Sequence, residues 1–196
     1  GVCTLTFNRL DKKNSITSAM YATLAEALRQ AQTDDAVRCV VFQGHETVFS
    51  SGNDIADFLT HPPSEPSAPV FLFVRALAEF PKPLLAAVCG PAVGIGTTML
   101  MHCDLVYAGD NAAFAMPFVN LGLCPEAASS LLAPQMMGYH RAAEALNMSQ
   151  PATTRMLQEI EEAFGCTLFE RQSRGMRATV LGDGSRALVV DVRSVA

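Results

Sequence analysis

The stretch LLAAVCGPAVGIGTTMLMHCD, Leu84–Asp104, decides how this chain folds. Its first part, Leu84–Cys89, is a continuous apolar run of strand length, which predicts a strand buried on both faces. Gly90–Gly96 predicts a tight glycine turn, and Thr97–Cys103 predicts the start of an apolar helix. In a strand, a glycine turn and a helix N-terminus arranged in this order, free backbone N–H groups point to one place. Such a place can stabilise a negative charge that develops during a reaction. An ordinary βα turn with packing glycines gives the same pattern.

The composition is that of a folded globular chain. Its 196 residues are 49% apolar and 17% charged, which fits one sizeable domain or one domain plus a small module. No apolar run reaches spanning length, so we expect a soluble protein without a membrane partner. The cysteine pattern described below predicts a cytoplasmic compartment. The net charge of −5 demands no nucleic-acid partner. The start at Gly1, without a Met or a signal-like segment, suggests a trimmed or partial N-terminus.

Cysteine and histidine spacing indicates neither disulfides nor a metal. No CxxC pair occurs, and most cysteines lie inside apolar runs, so we expect buried, reduced thiols. The histidines are far apart and lack metal-ligand spacing, so we predict no metal. The residues concerned are Cys3, Cys39, Cys89, Cys103, Cys124, Cys166, His45, His61, His102 and His140.

The segments before this stretch alternate between strand and helix patterns. Val2–Phe7 and Val37–Phe42 read as strands, and Ile16–Ala31 has helical periodicity with Thr17 or Ser18 as N-cap. Two strands joined by such a helix predict a right-handed βαβ unit. Further predicted elements are a loop at Asn8–Ser15, a glycine turn at Phe49–Asn53 leading to an acidic helix start at Asp54–Asp57, a loop at His61–Pro69, a helix at Val70–Phe80, a strand at Leu105–Ala108, an irregular or strand-like piece at Asn111–Met116 and a loop leading to a helix at Pro117–Ser130.

Two glycine turns that follow two strands, together with a lone carboxylate, predict a catalytic site. Backbone donors of Asn53 and Ile95 would hold one thioester oxygen, and Glu126 would move a proton on the adjacent carbon. An exposed loop glutamate is the alternative interpretation of Glu126.

Four motifs in order resemble the crotonase, or enoyl-CoA hydratase/isomerase, superfamily, and most closely its peroxisomal-type Δ3,Δ2-enoyl-CoA isomerases. The resemblance covers about residues 2–146. It implies a truncated α/β fold, a spiral of ββα units. The motifs are FNRLDKKNSI (Phe7–Ile16), FSSGNDIADF (Phe49–Phe58), FPKPLLAAVCGPAVGIG (Phe80–Gly96) and PFVNLGLCPEAASS (Pro117–Ser130).

The resemblance implies a thioester oxyanion hole made of two backbone N–H groups. Carried over, these belong to Asn53, just after Gly52, and to Ile95, between Gly94 and Gly96. The implied substrate is an acyl-CoA thioester, with coenzyme A arriving as part of it and no separate cofactor. The resemblance implies that Arg9, Lys12 and Lys13 of the NRLDKKN loop contact the coenzyme A nucleotide. The alternative is that these three cations only face solvent. The implied substrate-binding residues are Ser51, Gly52, Asp54, Ile55, Gly94, Gly96, Arg9, Lys12 and Lys13.

The acid/base positions separate the reactions of this family. Hydratases place two carboxylates around one water, at positions that are Thr98 and Phe118 here, so the resemblance argues against hydration. The isomerase-type enzymes use one Glu, matched by Glu126 in Cys124-Pro125-Glu126. One carboxylate suffices for a 1,3-proton shift through a dienolate, and such a base should be partly desolvated, with a raised pKa.

After Leu146 the resemblance stops, and residues 141–192 are similar to a partial winged helix-turn-helix of LysR-type regulators. That resemblance implies helices at Arg141–Leu146 and Pro151–Phe164 and a wing hairpin at Leu168–Thr179. It predicts a division into residues 1–146 and 147–196, and suggests a chimera. The family resemblance leads us to expect a homotrimer, but the C-terminal helices that support trimers in this family are not recognisable in the sequence.

The sequence therefore predicts an enoyl-CoA isomerase. The alternatives are a hybrid that binds DNA and senses acyl-CoA, and an inactive truncated fragment. A neutral tail without a dimerisation helix makes few phosphate contacts, which weakens the DNA-binding alternative.

Overall fold

A computed structural model of the chain describes residues 1–146 and the backbone of three later strands, 169–172, 175–178 and 188–191. The first compact unit is Gly1–Ala115 with Ala187–Ala196, and the second is Met116–Arg186. The predicted division at residue 146 stays a prediction. No helix in the described part of the chain is long and apolar enough to cross a membrane.

The first unit contains a parallel sheet of five strands. Along the chain, one helix follows the first of these strands and two helices follow the second. The strands, in spatial order, are β1 (Val2–Thr6), β2 (Cys39–Gln43), β3 (Leu84–Val88), β5 (Leu105–Ala108) and β9 (Leu188–Asp191), and the helices are α1 (Ser18–Thr33), α2 (Ile55–Thr60) and α3 (Pro69–Ala78).

The Gly90–Gly96 segment contributes one strand to a second, smaller sheet. It pairs β4 (Pro91–Val93) in parallel with β6 (Ala113–Ala115). The predicted tight turn Gly90–Gly96 therefore contains a short strand, which the sequence interpretation missed. The predicted apolar helix is also shorter, because α4 (Ile95–Thr98) passes directly into a 3₁₀ turn, Met99–His102.

The second unit contains two described helices, α5 (Ser129–Met137) and α6 (Tyr139–Ala145), after a 3₁₀ turn at Val119–Leu121. Its strands β7 (Phe169–Gln172) and β8 (Gly175–Ala178) pair in antiparallel fashion. They lie within the segment where a wing was predicted, but the winged helix-turn-helix is not shown. Arg141 and Leu146 lie in and just after α6. The predicted recognition helix, Pro151–Phe164, lies outside the described residues.

The helix prediction for α1 is confirmed, including its cap. The Thr17 hydroxyl accepts a hydrogen bond from the Met20 N–H at 3.3 Å, and Leu24 and Leu28 are buried. The β1 and β2 strands pair in parallel, as the βαβ prediction requires.

The core lies between α1, α3 and one face of the main sheet. The Phe73 ring of α3 lies 5.5 Å from the Tyr21 ring of α1 and 6.4 Å from the Phe42 ring of β2. Along β3, Leu84 and Val88 are buried whereas Ala87 is exposed. The prediction that this strand is buried on both faces is therefore wrong, because the helices cover the face that carries Leu84 and Val88.

The cysteine prediction is only partly right. The five cysteines in the described residues are free thiols, but only Cys103 among them is buried. Burial raises the pKa of the Cys103 thiol to about 12. Cys3, Cys39 and Cys89 are half-buried and Cys124 is exposed, since an apolar neighbourhood in sequence does not decide which face of a strand a thiol occupies.

Lys82 fastens the end of α1 to the start of β3. Its ammonium donates hydrogen bonds to the carbonyls of Ala31 (2.7 Å), Asp34 (2.7 Å) and Val37 (2.8 Å). We expect Lys82→Met to keep the aliphatic packing but lower the free energy of unfolding by about 2 kcal/mol, since three carbonyls lose a charged donor. Urea denaturation measures this, with Lys12→Met in an exposed loop as control. Equal midpoints for the two variants would contradict this role.

Candidate active site

The two glycine turns lie against each other in the first unit. The Ser50 and Val93 backbones are linked by an N–H···O bond of 2.9 Å from Val93 to Ser50, and Phe49 N–H donates to Pro91 O at 3.0 Å. A Cβ built on Gly52, whose φ is +92°, would lie 2.8 Å from the Val93 carbonyl oxygen and 3.9 Å from the Gly94 Cα. Only glycine fits this approach.

The N–H groups of Asn53 and Ile95 follow these turns directly. Neither donates a hydrogen bond to any residue that the structure describes. Ile95 is the first residue of α4, where helical backbone N–H groups lack an intrahelical acceptor. The Ile95 side chain is fully buried, so it acts at the site only through its main chain. Two free donors on adjoining turns can hold one oxygen that becomes negatively charged.

The NRLDKKN loop and the residues just after it form backbone hydrogen bonds with the glycine turn Phe49–Asn53. Ser51 N–H donates to Lys13 O at 3.0 Å, and Ile16 N–H donates to Gly52 O at 2.8 Å. Asp54 N–H in turn donates to Ile16 O at 2.9 Å. The residues on both sides of Asn53 are therefore held by backbone bonds.

Asn14 is a site residue that sequence reasoning missed. Its side chain is fully buried, its Nδ2 donates to the carbonyls of Val48 (3.2 Å) and Phe49 (3.1 Å), and its Oδ1 accepts from Arg9 N–H at 2.8 Å. Its φ of 54° is a left-handed conformation that Asn tolerates better than most residues. An Asn in a polar loop just before a buried Ile was the available signal.

Ser50 and Tyr21 were missed as well. The Ser50 hydroxyl donates to Asn14 O at 2.9 Å and accepts from Gly52 N–H at 3.2 Å. The buried Tyr21 hydroxyl donates to Asn53 Oδ1. These contacts fix the side chain of Asn53 while its N–H stays available.

Arg9 does not extend freely from its loop. Its guanidinium contacts the Asp54 carboxylate at 2.6 Å and donates to Ser15 Oγ at 2.7 Å. Asp54 also caps α2 by accepting from Asp57 N–H at 3.1 Å. The structure thus places Arg9 and Asp54 as partners of one another beside the turn, whereas Lys12 and Lys13 are exposed.

The Arg9 contact gives the fold a specific acid sensitivity. Hydrogen bonds from the Arg9 guanidinium and the Asp57 N–H lower the pKa of Asp54 from its ordinary value of 3.8. The resulting stabilisation is present above pH 3.8 and is lost as pH falls through the lower folded-state pKa. We expect Asp54→Asn, which keeps an N-cap, to flatten the decline in melting temperature below pH 4. Asp11→Asn, in the exposed loop, should leave that decline unchanged, and an unchanged Asp54→Asn profile would overturn the assignment.

The other predicted site residues differ in how deeply they are buried. Ser51 and Gly94 are half-buried, Gly96 is buried against Ser50, and Ile55 on α2 is 65% exposed. Among the residues described, no group of three or more His, Cys, Asp or Glu could hold a metal ion.

A cavity of about 300 Å³ lies in the first unit. It is mainly apolar and includes Tyr21, whose hydroxyl contacts Asn53. Its walls come from the starts of α1 and α3, from α2 and from the loop between α2 and α3, namely Ser18, Tyr21, Phe58, His61, Pro62, Pro63, Ala68, Pro69 and Val70.

Glu126 belongs to the second unit, where it precedes α5. It is half-buried, its Oε1 atom is buried, and its carbonyl accepts from Ser129 N–H at 3.0 Å. The two residues after it, Ala127 and Ala128, have φ of 51° and 55°. Left-handed backbone at two successive alanines is costly and tends to occur at functional sites.

A family model described as enoyl-CoA hydratase/isomerase matches residues 1–162. The chain belongs to this family. The match extends past Leu146, where the sequence resemblance was predicted to stop. The LysR-like interpretation of residues 141–192 finds no support in the comparisons with known proteins.

Curated relatives of this family member include two isomerases. Enoyl-CoA delta isomerase 2 of Rattus norvegicus is 44% identical over 161 residues, which cover 79% of this chain and 41% of the rat protein. The 1,2-epoxyphenylacetyl-CoA isomerase of Escherichia coli K12 is 40% identical over 149 residues, which cover 72% of this chain and 57% of that protein. The chain thus spans about half the length of these relatives.

Solved structures confirm a crotonase-like α/β fold. OdaA of Pseudomonas aeruginosa superposes with a TM-score of 0.72 at 48% identity, covering 84% of this chain and 74% of that one. An enoyl-CoA hydratase/isomerase from Pseudoalteromonas atlantica T6c gives a TM-score of 0.71 at 42% identity, covering 74% and 57%.

Proposed function

We propose that this enoyl-CoA hydratase/isomerase family member shifts the double bond of a 3-enoyl-CoA to the 2-position. The observation that carries the proposal is the pair of free N–H groups, of Asn53 and Ile95, on adjoining glycine turns. Removing a proton next to a thioester carbonyl places negative charge on its oxygen. Two fixed N–H donors stabilise that charge without a metal or a cofactor.

Glu126 is the proposed acid/base. It removes one proton from C2, and the electron pair of that C–H bond enters a dienolate held by the two N–H groups. The dienolate then takes the same proton at C4, which leaves a double bond between C2 and C3 and regenerates the carboxylate. The buried Oε1 atom and the left-handed alanines after Glu126 support this role, as do the isomerase names of the relatives.

Hydration is the reaction that the side chains argue against. The two positions at which the family's hydratases carry carboxylates hold Thr98 and Phe118, and both are buried. Neither can act as a general acid or base toward water.

The substrate is proposed to bind with its acyl chain in the 300 Å³ cavity and its nucleotide near the exposed Lys12 and Lys13. Tyr21 supports this arrangement, since it lines the cavity and contacts Asn53. A homotrimer stays a prediction from the family resemblance.

Ultraviolet absorbance distinguishes the two reactions. Conjugation of the double bond with the thioester raises absorbance when a 3-enoyl-CoA is isomerised, whereas hydration of a 2-enoyl-CoA lowers it. We expect the chain to produce the rise with the 3-enoyl-CoA and no decrease with the 2-enoyl-CoA. The reverse pattern would make it a hydratase, and no change with either thioester would contradict the proposal.

A further inference from the structure

Ser129 carries a buried hydroxyl that the fold does not use. It is the first residue of α5, its side chain is fully buried, and its Oγ makes no hydrogen bond to any residue that the structure describes. Burying a hydroxyl without a partner is destabilising, so its presence needs a reason. A hydrogen bond that forms only during the reaction supplies one.

The backbone places Ser129 beside Glu126. The Ser129 N–H donates to the Glu126 carbonyl at 3.0 Å, and the two residues between them, Ala127 and Ala128, have φ of 51° and 55°. A hydrogen bond across two left-handed residues is the pattern of a type I′ β-turn, which holds its first and last Cα atoms within about 7 Å of each other. The Glu126 carboxyl group and the Ser129 hydroxyl can meet across this separation, and the Glu126 Oε1 atom is buried as well.

The two oxygens of a carboxylate base have different tasks. One faces the reacting carbon and carries the proton, whereas the other must be held so that the group keeps its orientation and its charge. Burial favours the neutral acid, so a buried carboxylate stays ionised only where hydrogen bonds to it compensate. A serine hydroxyl suits this task, since it donates a hydrogen bond without adding a charge. Hydrogen bonds of catalytic groups are often open in the free enzyme and close when the substrate is bound.

We propose that Ser129 is a positioning residue for the base: in the substrate complex its hydroxyl donates a hydrogen bond to Glu126 Oε1, and Oε2 moves the proton. The inference rests on the proposed function, in which Glu126 takes a proton from C2 and returns it at C4. Ser129 touches neither the substrate nor that proton. Its bond keeps the carboxylate ionised before the reaction and holds Oε2 toward the acyl chain while the proton is returned.

The test is Ser129→Ala, assayed with a 3-enoyl-CoA as a function of pH. We expect kcat to fall about tenfold with KM unchanged, because the charged base loses one hydrogen bond. The lower apparent pKa in the pH profile of kcat should rise by about one pH unit, since the lost bond favoured the ionised carboxylate. The melting temperature should not fall, because the hydroxyl has no described partner in the free protein.

Ser130→Ala is the matched control, since Ser130 is the next residue of α5 and is half-buried. It should leave kcat and its pH profile unchanged. In a Glu126→Gln background, Ser129→Ala should alter the remaining rate by less than about twofold, because Ser129 acts through that carboxylate. An unaltered kcat and pH profile in Ser129→Ala, or the same tenfold loss in both backgrounds, would overturn the assignment. A wild-type protein that does not isomerise the thioester would instead refute the proposed function.

Discussion

We expect Glu126→Gln to lower the isomerisation rate by about 10³-fold while leaving acyl-CoA binding within a factor of three. Gln keeps the shape of Glu126 but cannot accept or return a proton. In the proposed function, the thioester is held by main-chain N–H groups and by the residues around the cavity, and this substitution removes none of them. Steady-state kinetics with a 3-enoyl-CoA measure the first effect, and titration with a saturated acyl-CoA measures the second.

Glu144→Gln is the control for this variant. Glu144 is also in the second unit, on α6, but its side chain is 68% exposed and pairs with His140. Its replacement should change neither turnover nor binding. If Glu126→Gln turns over within tenfold of the wild-type rate, another group moves the proton.

The second large effect is expected at Gly52. A methyl group there would lie 2.8 Å from the Val93 carbonyl oxygen, which cannot easily retreat because its strand is bonded to Ser50 and, through Gly94, to Ala115. The turn must therefore shift, and the Asn53 N–H moves with it. We expect Gly52→Ala to lower kcat by about 10²–10³-fold, the cost of losing one oxyanion donor.

Gly122→Ala separates this steric effect from backbone strain. Gly122 also has a positive φ, +67°, but no atom of the described residues lies within 4 Å of a Cβ built there. Its replacement costs about 1–2 kcal/mol of stability through the left-handed backbone alone. We would compare kcat in the two variants, each confirmed as folded by circular dichroism, and expect the larger loss in Gly52→Ala. Equal losses in kcat would show that the approach of the two turns does not position the donor.

The sequence predicted the regular elements because local signals decided them. The apolar spacing of Leu24 and Leu28 and the cap at Thr17 placed α1, and the apolar run from Leu84 placed β3. The strand at Leu105–Ala108 was predicted with the bounds that the structure has. The candidate donors were also identifiable, since the glycines around Asn53 and Ile95 mark them without any reference to side-chain chemistry.

What the sequence could not predict depends on contacts between distant segments. The β4 strand has only three residues, and its pairing with β6 is decided by tertiary structure. Asn14 holds carbonyls more than thirty positions along the chain, and Arg9 pairs with Asp54 rather than pointing outward.

The most direct test of the single-carboxylate mechanism is the fate of the C2 hydrogen. A 3-enoyl-CoA carrying deuterium at C2 is converted in ordinary water, and the product is analysed by NMR and mass spectrometry. If Glu126 carries one proton from C2 to C4, a measurable fraction of the 2-enoyl-CoA product holds deuterium at C4. Conversion at a normal rate with only protium at C4, or the absence of any conversion, would contradict this account.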